Sequence, residues 1–326
     1  MISVLMTTYN CAPYISQAIK SILNQTYNKF EFLIIDDGST DNTDEVVKSF
    51  QDERIRFIKS VHIGRSKALN YGLQNCSNDW VALMDSDDIC HPQRIEYQLK
   101  NFDYHENSIL CTWSIYFRDD KLLFDVRTPV NTEEFRNKMA LHSYVCNPSI
   151  IFNRKFIMSN GNYLEELHNS EDYELWSRLL NKAKFIVCEE YLLFQRMRTN
   201  SLSRYDLVRT KRQVNFIHKK YQDLANHFQI TDSYKQIKIL GWREYFYGDR
   251  VKARNIWFTL GDRLIYNPKI LITILFTYLN EKHFNWFWEK RLRLLIKFKL
   301  EKLFSIKIRK AERFLTNELS ISRRLN

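Results

Sequence analysis

Short apolar runs alternate with amphipathic stretches along the first hundred residues. Ser3-Val4-Leu5-Met6-Thr7 reads as a strand, and Tyr14, Ile15, Ala18, Ile19, Ile22 and Leu23 then recur at helical spacing. Pro13 falls in the first turn of that helix, where its missing N–H does no harm. Phe30 to Ile35, Ile55 to Ile58 and Trp80 to Met84 predict three further strands, and Gly64 to Leu73 predicts a helix. Asn42 and Glu45 are spaced as a capping box for another helix. Strands alternating with helices imply a parallel sheet. Further on, Ile109 to Phe117 and Ser149 to Phe152 read as strands. Leu175, Trp176 and Leu179 form the apolar side of a helix that starts near Ser170.

The polar residues collect at the ends of the predicted strands. Thr7-Thr8-Tyr9-Asn10, Asp36-Asp37 and Asp85-Ser86-Asp87-Asp88 each follow an apolar run directly. Ligands of open α/β sheets bind beyond the carboxyl ends of the strands, so the three clusters converge on one crevice. The third cluster is the most telling, because clustered carboxylates repel one another unless a cation neutralises them. A hard divalent ion takes oxygen ligands and holds substrate phosphates at its open positions. The competing structural reading is a solvated acidic turn. A second cluster, Ser170-Glu171-Asp172-Tyr173-Glu174-Leu175-Trp176, puts Asp172 in the first turn of a helix, where the dipole favours a carboxylate. Capping alone would explain an acid there, but a general base is what the acidic half-site lacks.

Taken in order, these blocks resemble glycosyltransferase family 2, the inverting, nucleotide-sugar-dependent enzymes with the GT-A fold. The matching segments are Ser3 to Asn10, Asn24-Gln25-Thr26-Tyr27, Phe32 to Asp41, Gly64 through Leu73, and Asp85 to Asp88. The resemblance is strong over the first hundred residues or so, patchy to Arg204, and uninformative beyond. It implies an α/β fold with a mostly parallel, Rossmann-like sheet flanked by helices. It also implies a nucleotide-sugar donor, UDP-linked, and a Mn²⁺ or Mg²⁺ cofactor.

Residue by residue, the resemblance makes Thr7 and Tyr9 nucleotide contacts, with Tyr9 near the base. Asp37 matches an acid that accepts from the base, and an acceptor-only carboxylate suits a uracil imide N–H. Arg65 lies where relatives place a basic nucleotide contact. Asp85 and Asp87 match the metal motif, Ser86 lies between them on the nucleotide sugar, and Asp88 is expected to orient the site from behind. Asp36 is expected to hold the following loop. Asp172 matches the general base. Asn147-Pro148-Ser149 lies where relatives shape the acceptor pocket, and His142 is left out of the catalytic set. Relatives often carry a His where this chain has Arg198, and an Arg pairs with phosphate but does not ligate a metal. The competing reading for Arg196 and Arg198 is a solvated basic loop. Many relatives also have Pro at the position of Thr7.

Composition then sets the surroundings. The chain has 326 residues, room for a catalytic domain over 1–205, with halves 1–103 and 104–205, plus a helical region over 206–326. Six cysteines include no C-x-x-C pair and are expected to be free thiols in a reducing cytoplasm. No leader is expected, because residues 1–8 run straight into the first strand. The net charge is +11, and Glu281 to Asn326 holds 13 Lys and Arg against 5 Glu, a net +8. Phe284, Trp286, Phe287, Trp288 and a series of Leu and Ile interleave with those charges. Basic amphipathic helices of this kind lie on anionic membranes, and the alternative is a helix packed on the catalytic domain. No nucleic-acid recognition motif accompanies the charge. Ile270 to Phe276 is too short to cross a bilayer, which takes about 20 residues.

The expectation is therefore a transferase at the cytoplasmic face of the plasma membrane. It would move a hexose or N-acetylhexosamine to a glycan acceptor, lipid-linked or a lipopolysaccharide or capsule precursor. Two rivals stand beside it. A nucleotidyltransferase would need a Gly- and Lys/Arg-rich phosphate loop, and Leu5 to Tyr14 holds neither Gly nor a basic residue. An inactive binding or scaffold protein would not need Asp85, Asp87 and Asp172 together.

Overall fold

The computed structural model describes residues 1–100, 104–119, 121–198, 207–278 and 314–315. Strands β1 (Ile2–Thr8), β2 (Phe30–Asp36), β3 (Ile55–Lys59) and β4 (Trp80–Asp85) run parallel, as the alternation predicts. Helices α1 (Ala12–Leu23), α2 (Thr43–Lys48) and α3 (Arg65–Asn75) connect them. The sheet continues through β5 (Ile89–Cys90), β6 (Ser108–Arg118), β7 (Lys121–Val126), β8 (Ile151–Asn153) and β9 (Lys184–Arg196). The strand order is β3-β2-β1-β4-β8-β6-β9-β5, with β7 paired to the edge of β6. The fold is mixed α/β with helices on both sides of the sheet.

Order and register set up the site. β1 lies between β2 and β4, so the chain reverses its direction of winding there, and a crevice opens at the strand ends. The register puts Thr8 beside Asp36 and Thr7 beside Asp85. Both faces of the sheet are covered, which is why β1 is buried throughout and runs apolar through Val4, Leu5 and Met6 instead of alternating. Val4 and Met6 pack with Ile15, Ile19, Phe32 and Ile34 on one face. Leu5 packs on the other with Leu33, Leu73, Leu83 and Trp176.

The second half adds α4 (Arg94–Lys100), α5 (Thr132–Met139), α6 (Arg154–Ser159) and α7 (Glu171–Leu179). After residue 206 come α8 (Leu207–Lys220), α9 (Leu224–Phe228), α10 (Ser233–Tyr247), α11 (Arg250–Phe258) and α12 (Pro268–Phe276). Val214, Ile217, Leu224 and Phe228 join the core around Trp176, while α10 to α12 close a smaller core on Trp257. Most of the basic tail from Glu281 lies outside the described residues. Phe314 and Leu315 are described, and they pack against Ile89, Ile115, Phe117 and Phe194 at the β5 edge. No helix among the described residues is long and apolar enough to cross a membrane. All six cysteines are free and buried.

Two local expectations change. Asn42 makes no side-chain cap for α2; Asp41 does that work, accepting from the Thr43 N–H at 3.1 Å. The 13-residue β9 was not expected from the sequence, and it ends where a solvated basic loop was the competing reading.

Candidate active site

The acidic segment leaves β4 as a tight turn, with the Asp88 N–H donating to Asp85 O at 3.4 Å. The turn is tied to the end of β9. Asp88 is buried and accepts from the Arg196 N–H at 2.8 Å, and the Arg196 guanidinium donates to Asp87 O at 2.9 Å. The same guanidinium lies over the Phe117 ring at 4.5 Å. Arg196 is therefore a brace, and Asp88 is the anchor it grips.

Asp85 and Asp87 are each met by a cation. Arg65 Nη2 donates to Asp85 Oδ1 at 2.7 Å, and Arg198 Nε lies 2.7 Å from Asp87 Oδ2. Arg65 also reaches across the site, donating from Nε to Glu171 Oε1 at 2.9 Å. It links the acidic turn to the first residue of α7. The Asp85 charge holds the guanidinium firmly protonated, with Glu171 adding to the effect. Burial raises the carboxyls of Asp87 and Asp88, and neighbouring acids push the same way. Carboxylate oxygens of Asp85, Asp87 and Asp88 lie within 4.8 Å of one another. That all-oxygen set fits one hard divalent cation.

α7 aims Asp172 because the helix is fixed on two sides. Leu175, Trp176 and Leu179 are fully buried, and Glu174 binds Arg178 at 2.9 Å, Lys220 at 2.6 Å and the Tyr221 hydroxyl at 2.8 Å. Asp172 Oδ1 accepts from the Tyr173 N–H at 2.7 Å. Burial raises the Asp172 carboxyl to about 6 and that of Glu171 to about 7. For Asp172, the Tyr173 N–H and the charge of Arg65 act in the opposite direction.

One cleft of about 790 Å³ brings these groups together. Arg65, Asp85, Asp87, Asp88, Glu171, Asp172 and Arg198 line it, together with His142, Tyr144, Asn147 and Pro148. The other expected nucleotide contacts lie elsewhere. Thr7 and Ser86 are buried at the strand ends, with the Ser86 carbonyl accepting from Cys11 Sγ at 3.4 Å. Tyr9 and Asp37 sit at the ends of β1 and β2, outside that lining. Asp36 holds its loop through the Ser39 N–H at 3.0 Å. The sequence places Glu171 and Arg196 in motifs without a partner for either and gives no sign of His62; their partners lie 25 or more positions away.

Comparisons with known proteins agree with this architecture. The family model described as glycosyl transferase family 2 matches residues 3–160. An uncharacterised glycosyltransferase of Methanocaldococcus jannaschii is 31% identical over 267 residues, covering 76% of this chain and 86% of that protein. The O-antigen biosynthesis glycosyltransferase WbnJ of Escherichia coli is 31% identical over 190 residues, covering 56% and 73%. The chain spans only 35% of the length of two relatives from Rickettsia felis and Rickettsia conorii. Among solved structures, residues 1–349 of S. aureus TarS in complex with UDP superpose with a TM-score of 0.54 at 18% identity, covering 98% of this chain and 91% of that one. The mannosyltransferase PcManGT of Pyrobaculum calidifontis, in complex with GDP-Man and Mn²⁺, gives 0.54 at 14% identity, covering 91% and 86%. The structural likenesses speak to the fold alone, whereas the sequence match spans the four parallel strands, their acidic ends and most of an archaeal glycosyltransferase. The chain is a glycosyltransferase and belongs to glycosyl transferase family 2.

Proposed function

We propose that the protein transfers one hexose or N-acetylhexosamine from a UDP-sugar to a hydroxyl of a glycan acceptor, with inversion at the anomeric carbon. The observation that carries this reading is that Asp172 and the Asp85/Asp87 pair line one cleft. The Asp172 carboxylate takes the proton of the acceptor hydroxyl, whose oxygen forms a bond to the anomeric carbon. The bond from that carbon to the diphosphate oxygen breaks, and the nucleoside diphosphate leaves with the electron pair. Asp85 and Asp87 would hold Mn²⁺ or Mg²⁺, which supplies positive charge to the leaving diphosphate. Arg65 and Arg198, which sit on Asp85 and Asp87, would also lie beside that diphosphate, and a guanidinium grips phosphate oxygens in a fork. Tyr9 and Asp37 take the base, with Thr7 and Ser86 at the strand ends beside it. The TarS structure contains UDP and PcManGT contains GDP-Man with Mn²⁺, which supports a nucleotide sugar and a divalent cation here.

The acceptor is a lipid-linked glycan or a lipopolysaccharide or capsule precursor, met at the inner face of the plasma membrane. The O-antigen relative and the basic C-terminal region support that placement.

The test is nucleoside diphosphate release from a panel of nucleotide sugars with Mn²⁺, Mg²⁺ or EDTA, beside Asp87→Ala and Asp172→Asn. Metal-dependent release from one UDP-sugar, lost in both variants, is the expected result. Silence across the panel without nucleotide binding by calorimetry would turn the reading to an inactive scaffold.

A further inference from the structure

The loop after β3 folds back over the ends of β1 and β2. Gly38 lets it close: its φ is +73°, and a Cβ there would lie 2.5 Å from the His62 nitrogen. The His62 imidazole rests on the Tyr9 ring, with centroids 4.2 Å apart and planes 26° from parallel. Its Nδ1 lies 2.9 Å from Asp37 Oδ2 and 3.1 Å from Asp37 O. The Asp37 carboxylate also accepts from the Ile63 N–H at 2.7 Å and the Gly64 N–H at 3.0 Å. Asp37 is only 5% exposed, whereas the His62 side chain is 55% exposed. The reacting cleft stops short of Tyr9 and Asp37.

We infer that His62 occupies the seat of the nucleobase in the ligand-free protein and is displaced from it when the donor binds. The inference rests on the reading that Tyr9 and Asp37 take the base. A uracil ring would present two things to this corner, a flat face to Tyr9 and an imide N–H to Asp37. The imidazole already supplies both. Two rings cannot share that face of Tyr9 at stacking distance, nor two N–H groups the same lone pair of Oδ2. The backbone donors of Ile63 and Gly64 keep Asp37 aimed after the ring leaves. His62 can leave because it is half exposed and its ring is held from two sides, by the Tyr9 stack and by the carboxylate and carbonyl oxygens of Asp37. Donor affinity is then the intrinsic affinity reduced by the fraction of molecules whose seat is open.

Calorimetry with UDP on the full chain and on His62→Ala reads this directly. Removing the ring opens the seat, so the variant binds UDP about three- to tenfold more tightly, the size of one aromatic stack. Equal or weaker binding by the variant overturns the inference, because His62 would then be idle or a wall of the base pocket. Proton–nitrogen NMR of the wild-type imidazole gives a second readout. Saturating UDP moves the His62 ring resonances to those of a solvated histidine, and unmoved resonances count against displacement. Tyr9→Ala and Asp37→Asn separate the two levels. If both bind UDP as wild type does, or if no form binds it, the base-site reading fails and His62 falls with it. If both lose affinity while His62→Ala gains none, only the displacement is wrong.

Discussion

Arg65 carries more of the electrostatics of the site than its place in the sequence suggests. Its guanidinium is shared between Asp85 and Glu171, and its charge acts on Asp172. The proposed general base, Asp172, works ionised, and burial raises it to about 6. Log(kcat/KM) therefore falls with unit slope as the pH drops below about 6, which initial rates across the acid range will read. The Arg65 charge restrains that rise. In Arg65→Gln the Asp172 carboxyl titrates higher, so the acid limb moves to higher pH and the neutral-pH rate drops. An unmoved limb would assign it to another group. Asp172→Asn keeps the shape of the cleft and loses the base, so kcat falls by about 10²- to 10⁴-fold while UDP affinity is kept. At this scale the sequence reveals what is contiguous. Asp85, Asp87 and Asp172 sit in local motifs, whereas the Arg65–Glu171 pair joins residues 106 positions apart.

Elements explain which parts of the site were legible. The central strands β1, β2 and β4 are mainly apolar and mostly buried, so their ends, and the polar residues at them, could be read from the pattern alone. β9 could not be read in this way. Its pairing with β6 shifts between Thr112 and Ser114, and Glu189-Glu190 falls in the gap between the paired residues Cys188 and Tyr191. A bulge breaks the period by which a strand is recognised. Missing β9 meant missing why Arg196 and Arg198 face Asp87 and Asp88: Arg196 is the last residue of the strand, paired in the sheet, and Arg198 follows two positions later. The loops at the strand ends are equally exacting. Gly38→Ala would force a left-handed residue to carry a side chain against the backbone of His62. Thermal denaturation should show a loss of about 1–3 kcal/mol, and UDP binding should weaken with it, because Asp37 is the preceding residue. A fully stable variant would mean that the 60–64 loop has room to move away.

At the scale of the molecule, the question is what meets α12. Ile270 and Ile274 pack inward with Trp257 and Leu264. On the outer side Leu271, Ile272, Leu275 and the following Tyr278 are 39, 50, 67 and 64% exposed. A helix apolar on both sides is expected to be covered. Charge decides among the candidates. Residues 250–278 hold five basic residues against one acid, and the segment from Glu281 carries a net +8. Covering this face with that segment, or with a second +11 chain, brings like charges together. An anionic bilayer offers the apolar face a hydrocarbon boundary and gains roughly 1 kcal/mol for each Lys or Arg at its surface. The full chain should therefore cosediment with vesicles containing phosphatidylglycerol, far less with phosphatidylcholine alone, and less again as salt rises. Leu271→Ser with Leu275→Ser removes two inserted side chains and should weaken that binding by about tenfold or more. Transfer to a water-soluble acceptor should be unchanged, since neither residue lines the cleft. Equal partition of both proteins, or indifference to lipid charge, would leave α12 facing a protein, and the acceptor would then lose its tie to the membrane.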